Sequence, residues 1–295
     1  MTDRPTPNRC AAARLLALAF LRPALLVAGG PARAADKLQE IRQRGHLIAG
    51  VRVDSPRFGG LSPQTGQITG FDVDIVNAVA AEILGTAKPA VLVPVTSQNR
   101  ITQLNTDRVD VLAATLTISQ PRMREIAFSD VYLRVGQSLL VRKDSDIAGY
   151  KDLAGRKVCT VVGSTPEQTI RRMVPTADVL TFNTYPECFL ALQNRRTQAV
   201  TTGYMLLMDM HEADPANTKL VGGNFTFEAW GLGIKTGEKA LVDAVNAALL
   251  KIRDTGLYAK LYQKWIGTAV PDDLASWYGM PAAEAARLFA ESTAR

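Results

Sequence analysis

The chain of 295 residues has only two histidines and three cysteines. His46 and His211 stand far apart in no metal-ligand spacing, and both read as surface residues. Neither a nucleophile elbow nor a phosphate-cradling glycine loop is present, so nucleophilic hydrolysis and nucleotide chemistry lack their usual residues. No apolar run reaches the roughly 18 to 20 residues that cross a membrane as a helix; the longest, residues 15–30, is interrupted by Arg22 and Pro23. The 34 Lys plus Arg face 28 Asp plus Glu without forming a basic stripe interleaved with aromatics, which excludes a nucleic-acid partner. With 47% hydrophobic and 21% charged residues, disorder and collagen-like structure are excluded as well. At about 100 to 200 residues per domain, the length suggests two domains with enough interior to fold without staples.

The first segment has the form of an export signal. Arg4, Arg9 and Arg14 precede an Ala/Leu-rich stretch that ends in Ala32, Arg33 and Ala34, a small-x-small cleavage pattern. Residues 1–34 are therefore set aside from the fold; the alternative, the helical start of a cytoplasmic protein, has only Arg22 in its favour. Cleavage would remove five arginines and one aspartate, lowering the formal net charge from +6 to +2. It would also remove Cys10 and leave Cys159 with Cys188. In an oxidising compartment these two could form one disulfide, but spacing alone is equally compatible with two separate buried thiols.

From Leu38 onward, short β-branched runs alternate with amphipathic helices, the pattern of an α/β protein built from stacked βα units. Strands are expected at residues 47–53, 91–95, 109–114 and 137–141, with Ile75, Val76, Val79, Ala80, Ile83 and Leu84 forming one helical stripe that Gly85 can cap. A polar linker over residues 142–149 suggests a lobe boundary. A second series follows, with strands at 158–162, 179–182 and 199–202 and helices between. Gly222 and Gly223 offer a second crossing, residues 230–234 a return strand, and the chain ends in helices. The expectation is one lobe from residues 35–141 and 225–295 and another from 142–224, joined by two strand-like hinge crossings beside a cleft.

Gly70, Phe71, Asp72, Val73, Asp74 and Ile75 open the first amphipathic helix, and further landmarks follow in order: Arg44-Gly45 before it, then Phe128-Ser129, Asp152-Leu153-Ala154-Gly155, Gly163-Ser164-Thr165 and Lys264-Trp265. In these residues the chain resembles the polar-amino-acid family of bacterial periplasmic solute-binding proteins, and within it the glutamate/aspartate-binding branch. The resemblance covers essentially the whole mature chain. It implies a two-lobed type II periplasmic-binding-protein fold, a periplasmic monomer with neither cofactor nor metal, an amino acid in the cleft, and the membrane subunits of an ABC importer as partner. Read without it, Asp72 and Asp74 are simply acids at a helix start, where the macrodipole favours them.

The resemblance also implies roles for individual residues. Arg122, after the hydroxyl-bearing stretch that contains Thr115 and Thr117, matches the holder of the ligand's α-carboxylate; Thr117 would add its hydroxyl and amide. A guanidinium grips a carboxylate through two parallel hydrogen bonds, which lysine cannot reproduce. Arg52, Ser97 and Arg100 match positions that hold a second carboxylate, and three arginines around one small ligand imply two negative groups. Phe58 would cover the carbon chain, while Ser164 and Thr165 would offer backbone amides at a helix start. Where the family places an aspartate for the ligand's ammonium, this chain has Gly203. Either Glu228, Glu187 or Tyr185 replaces it, or amino acids bind weakly, or the ligand is a dicarboxylate without an amine. A dehydratase-like enzyme on the same scaffold is the alternative function, and a sensory receptor would share the binding chemistry.

Overall fold

The computed structural model describes residues 36–294, so the expected signal over residues 1–34 lies outside the described residues. Two five-stranded mixed sheets carry the fold, as expected of a two-lobed α/β protein. In the first, Val91–Pro94, Ile48–Val51 and Val111–Ala113 run parallel; Gly233–Ile234 joins antiparallel, followed by Ala127–Phe128. In the second, Asp178–Phe182, Lys157–Val161 and Ala199–Gly203 run parallel, and Gln137–Arg142 and Thr218–Val221 complete it antiparallel. The parallel pairs follow from the βα alternation, because a parallel partner requires a crossover that a helix supplies.

Between the sheets, Leu133–Val135 pairs antiparallel with Glu228–Trp230, so the chain crosses twice through one narrow ribbon. Residues 137–141 were expected to end the first lobe, yet Gln137–Arg142 is buried in the second sheet between Ala199–Gly203 and Thr218–Val221. Residues 137–141 are buried in succession, as suits a strand covered on both faces, and the polar residues 142–149 lie beyond it. The return crossing likewise lies at 228–230, beyond Gly222 and Gly223. The two strands that pair between the sheets are thus 133–135 and 228–230.

The helix Phe71–Leu84 buries Phe71, Val73, Ile75, Val76, Val79, Ala80 and Ile83 and ends at Gly85 in a left-handed cap. Gly70 is required at its start: a Cβ there would lie 2.1 Å from the Phe58 carbonyl oxygen, at φ +153°. Asp74 Oδ2 accepts from Lys264 Nζ and Trp265 Nε1, each at 2.7 Å, so two motifs 190 residues apart form one corner. Phe58, Phe71, Tyr132, Tyr258 and Tyr262 form an aromatic core beneath the cleft. Cys159 and Cys188 are joined, with their Cα atoms 5.5 Å apart, which fastens the strand Lys157–Val161 to the helix Tyr185–Gln193.

Candidate functional site

The cleft between the sheets narrows to a cavity of about 20 Å³ whose walls are almost wholly polar. The first lobe contributes Ser97, Arg100, Thr115 and Thr117; the second contributes Ser164, Thr165, Tyr185 and Gly203; the return crossing contributes Glu228 and Trp230. Eight of the eleven expected site residues thus share one wall, while Arg52, Arg122 and Phe58 stand behind it.

Arg100, 2% exposed, opens the short helix Arg100–Asn105 and sends Nη1 to the Ala114 carbonyl at 2.5 Å and toward that of Thr115 at 3.4 Å. Its Nε has no partner among the described residues. Thr115 holds φ +48°, a left-handed conformation unusual for a β-branched residue, and its N–H donates to Asp72 Oδ2 at 2.7 Å. Asp72 also accepts from the Tyr132 hydroxyl at 2.8 Å. Burial raises its carboxyl to about 6, against the pull of the Thr115 amide, the Tyr132 hydroxyl, Arg52 and Arg100. The aspartate that reads in the sequence as a helix-start acid therefore shapes the floor of the site. Its partner lies 43 residues away, a distance no local pattern reveals.

Arg52 is equally buried but differently engaged. Its Nε and Nη2 meet the two oxygens of Asp54 at 2.8 and 2.5 Å, Nη1 donates to Ser97 Oγ at 2.5 Å, and the guanidinium lies 5.2 Å from the Tyr185 ring centroid. Arg122 reaches both lobes: Nη1 donates to the Thr117 carbonyl at 2.9 Å and Nη2 to that of Gly163 at 3.2 Å. Burial lowers the Arg122 guanidinium to about 10, opposed by Glu228. The Arg100 guanidinium is lowered too, by burial first and then by the charges of Arg122 and Arg52. Among the described residues neither Arg100 nor Arg122 forms an ion pair, whereas Arg52 does.

Glu228, 2% exposed, is the acid of the cavity. It accepts from Gln137 Nε2 at 2.6 Å, Thr165 Oγ1 at 2.7 Å and Thr117 Oγ1 at 3.1 Å. It faces the same cavity as Gly203, where a Cβ would meet only ordinary contacts, the nearest at 3.6 Å to Leu206. Of the other two residues considered as replacements for the missing aspartate, Tyr185 lines the cavity, while Glu187 is exposed and caps its own helix through the Thr184 amide and hydroxyl.

Phe58 does not reach the cavity. It is fully buried, edge-on to Trp230 with centroids 4.8 Å apart, and Trp230 forms the wall in its place. In the sequence Trp230 reads only as the start of a return strand, although residues 228 and 230 share one face of a strand and so accompany each other into the site. The histidines lie away from it: His46 Nδ1 is 3.2 Å from the Arg44 carbonyl and His211 Nδ1 is 2.9 Å from Thr218 Oγ1. A larger groove of about 380 Å³ beside Asp144 and Arg195 is open to solvent, and those two charges pair with each other at 3.2 Å.

The lobes touch around the cavity. Thr117 Oγ1 lies 3.3 Å from Thr165 Oγ1, and Asp54 Oδ2 accepts the Tyr185 backbone N–H at 3.3 Å. At the rim, Arg57 binds Asp209 at 2.7 Å and Glu212 at 3.0 Å, and donates to the Trp265 and Ile266 carbonyls, each at 3.2 Å. At about 20 Å³ the cavity holds little more than one water, so the lobes must part to admit a larger molecule; its groups suit one bearing both an anionic and a cationic group, with hydroxyls and an indole around the remainder.

Residues 47–268 match the family described as bacterial extracellular solute-binding proteins, family 3. The chain is 41% identical over 232 residues to the ABC transporter glutamine-binding protein GlnH of Bacillus subtilis (strain 168), spanning 78% of this chain and 85% of that protein. It is 44% identical over 199 residues to the glutamine-binding protein of Geobacillus stearothermophilus, spanning 67% and 76%. A glutamate-binding protein, GluB, of Corynebacterium efficiens is 31% identical over 260 residues, with 84% and 88% covered. Among solved structures, an ancestral arginine-binding protein bound to glutamine matches with a TM-score of 0.72 at 32% identity, covering 76% of this chain and 99% of that one.

Proposed function

The chain belongs to family 3 of the bacterial extracellular solute-binding proteins, and we propose that it is the periplasmic receptor of an ABC amino-acid importer, closing its lobes over one molecule of glutamine. What carries this reading is a cavity walled from both lobes by one buried guanidinium, Arg100, and one buried carboxylate, Glu228, with a second buried guanidinium, Arg122, behind the wall, neither arginine having a paired acid among the described residues. An α-amino acid matches those charges. Arg122 and Thr117 would receive the α-carboxylate, the role the resemblance assigns them, and Glu228 would receive the ammonium in place of the acid missing at Gly203. Arg100, Ser97 and Tyr185 would surround the side chain.

Glutamate or aspartate was the expectation from three arginines. Charge balance favours the neutral amide instead, because Asp54 already answers Arg52, leaving Arg100 and Arg122 against Asp72 and Glu228. A zwitterion adds no net charge to that set, whereas an acidic amino acid adds one negative charge. The relatives named for glutamine at 41% and 44% identity support the same choice, while the GluB likeness keeps glutamate as the second reading. A dicarboxylate without an amine would leave Glu228 facing a ligand with nothing to offer it.

Titration calorimetry with glutamine, glutamate, aspartate and glutarate tests the reading. Glutamine should bind one to one and glutarate not at all. Arg122→Ala should abolish binding, and Glu228→Gln should weaken it by about 2 kcal/mol or more, the usual cost of truncating one side of a buried charge pair. Unchanged affinity in Arg122→Ala would refute the site, and formation of a product from a bound ligand would favour the dehydratase-like alternative.

A further inference from the structure

The three cleft guanidinium groups are not equivalent, and the difference is made by one residue. Arg52 and Asp54 are separated by Val53 just beyond the strand Ile48–Val51, where the chain bends, and their side chains meet. Asp54 meets Nε and Nη2 of Arg52 at 2.8 and 2.5 Å, the pair of parallel bonds through which an arginine would grip the carboxylate of a ligand. The remaining Nη1 is directed to Ser97 Oγ at 2.5 Å, and Ser97 does wall the cavity. Asp54 Oδ2 also accepts the backbone N–H of Tyr185 at 3.3 Å, at the start of the helix Tyr185–Gln193 in the opposite lobe. Its carboxylate thus rests on both lobes and near the favourable end of a helix dipole.

We propose that Asp54 is a specificity-determining positioning residue that makes the cleft prefer an uncharged ligand side chain to a carboxylate. Occupation of the Arg52 fork turns that arginine from a counter-charge into a support for Ser97 and Tyr185. An incoming side-chain carboxylate must then displace Asp54, leaving a largely buried acid without its partner, or lie beside it as a like charge. Either course penalises glutamate, and neither penalises glutamine. Because closure brings Tyr185 onto the same oxygen, the penalty is greatest in the closed state, where affinity is set. This inference rests on the amino-acid-receptor reading and adds to it the residue that chooses among amino acids.

The test is calorimetry of the purified protein with L-glutamine and L-glutamate, for the wild type, Asp54→Asn, Asp54→Ala, and Asp54→Asn combined with Arg52→Gln. Asparagine keeps the shape and an acceptor for the Tyr185 amide while removing the negative charge. The glutamate-to-glutamine affinity ratio should rise by about tenfold or more in Asp54→Asn, and the added Arg52→Gln should take that gain away, since the freed guanidinium is its source. An equal loss of both ligands in Asp54→Asn and Asp54→Ala would mark a merely structural role and overturn the inference, as would an unchanged ratio. A wild type that prefers glutamate overturns this inference together with the choice of glutamine, and leaves the amino-acid-receptor reading standing. A wild type that binds neither amino acid overturns both.

Discussion

Thr115 lies at φ +48°, which costs a β-branched residue on the order of 1 to 3 kcal/mol, and it is held there by the Asp72 carboxylate. That turn aims the Ala114 and Thr115 carbonyls at Arg100, so Asp72 fixes the seat of a cavity residue it does not touch. Burial raises the Asp72 carboxyl from its ordinary 3.8 to about 6. The native state therefore holds this proton more tightly than the unfolded chain. The stability tied to the group is complete below about pH 4 and lost as pH rises through about 6. Asp72→Asn cannot titrate, so its stability should gain on that of the wild type by roughly 3 kcal/mol between those limits, read from urea midpoints at each pH. Parallel curves for the two proteins would refute the assignment. Residue types were legible in the sequence wherever a motif pins the backbone, as at Ser97, Thr117 and Thr165. Partners were not: the union of Asp72 with Thr115, of Arg52 with Asp54, and of Phe58 with Trp230 depends on which way each side chain turns after folding, and the sequence carries no separate mark of that.

Among the elements, the two ribbons that differ from the sequence reading are those with the least local signal. Leu133–Val135 and Glu228–Trp230 have three residues each, too few for a period to declare itself, and become strands only by pairing with each other. Longer units such as Phe71–Leu84 and Lys239–Asp254 were visible because their apolar stripes run for several turns. The turn before the helix Thr165–Met173 carries a different constraint. Gly163 has φ +74°, and a Cβ there would approach Gln98 Cα and the Ser97 carbonyl oxygen of the first lobe, each at 3.1 Å. Gly163→Ala should therefore both strain its own turn and hold the lobes apart, weakening ligand binding by about tenfold in calorimetry. Wild-type affinity in this variant would show that the lobes do not approach here when ligand binds. The disulfide acts on the same lobe: closing 29 residues, it should contribute about 2 to 4 kcal/mol, measured as the loss of urea stability in Cys159→Ser/Cys188→Ser.

Over the whole molecule, closure sets the affinity, because a ligand stabilises the closed form only through contacts that the open form lacks. Arg57 supplies some of those contacts. It joins the first lobe to Asp209 and Glu212 of the helix Tyr204–Ala213 and is anchored by the carbonyls at the end of Leu257–Ile266. These rim charges are partly solvated, so their effect is modest: Arg57→Ala should weaken ligand binding by about two- to tenfold and enlarge the radius of gyration of the unliganded protein in X-ray scattering. A ligand-free scattering profile that does not change would place the latch outside the closing motion. Beneath these effects lies the placement of one zwitterion between two lobes, and a crystal structure of the protein with glutamine examines it atom by atom. The α-carboxylate should lie on Arg122, the ammonium on Glu228, and the side-chain amide beside Arg100 and Tyr185, with the Arg52–Asp54 pair intact. Glutamine bound elsewhere, or with its α-carboxylate on Arg52 in place of Asp54, would contradict it.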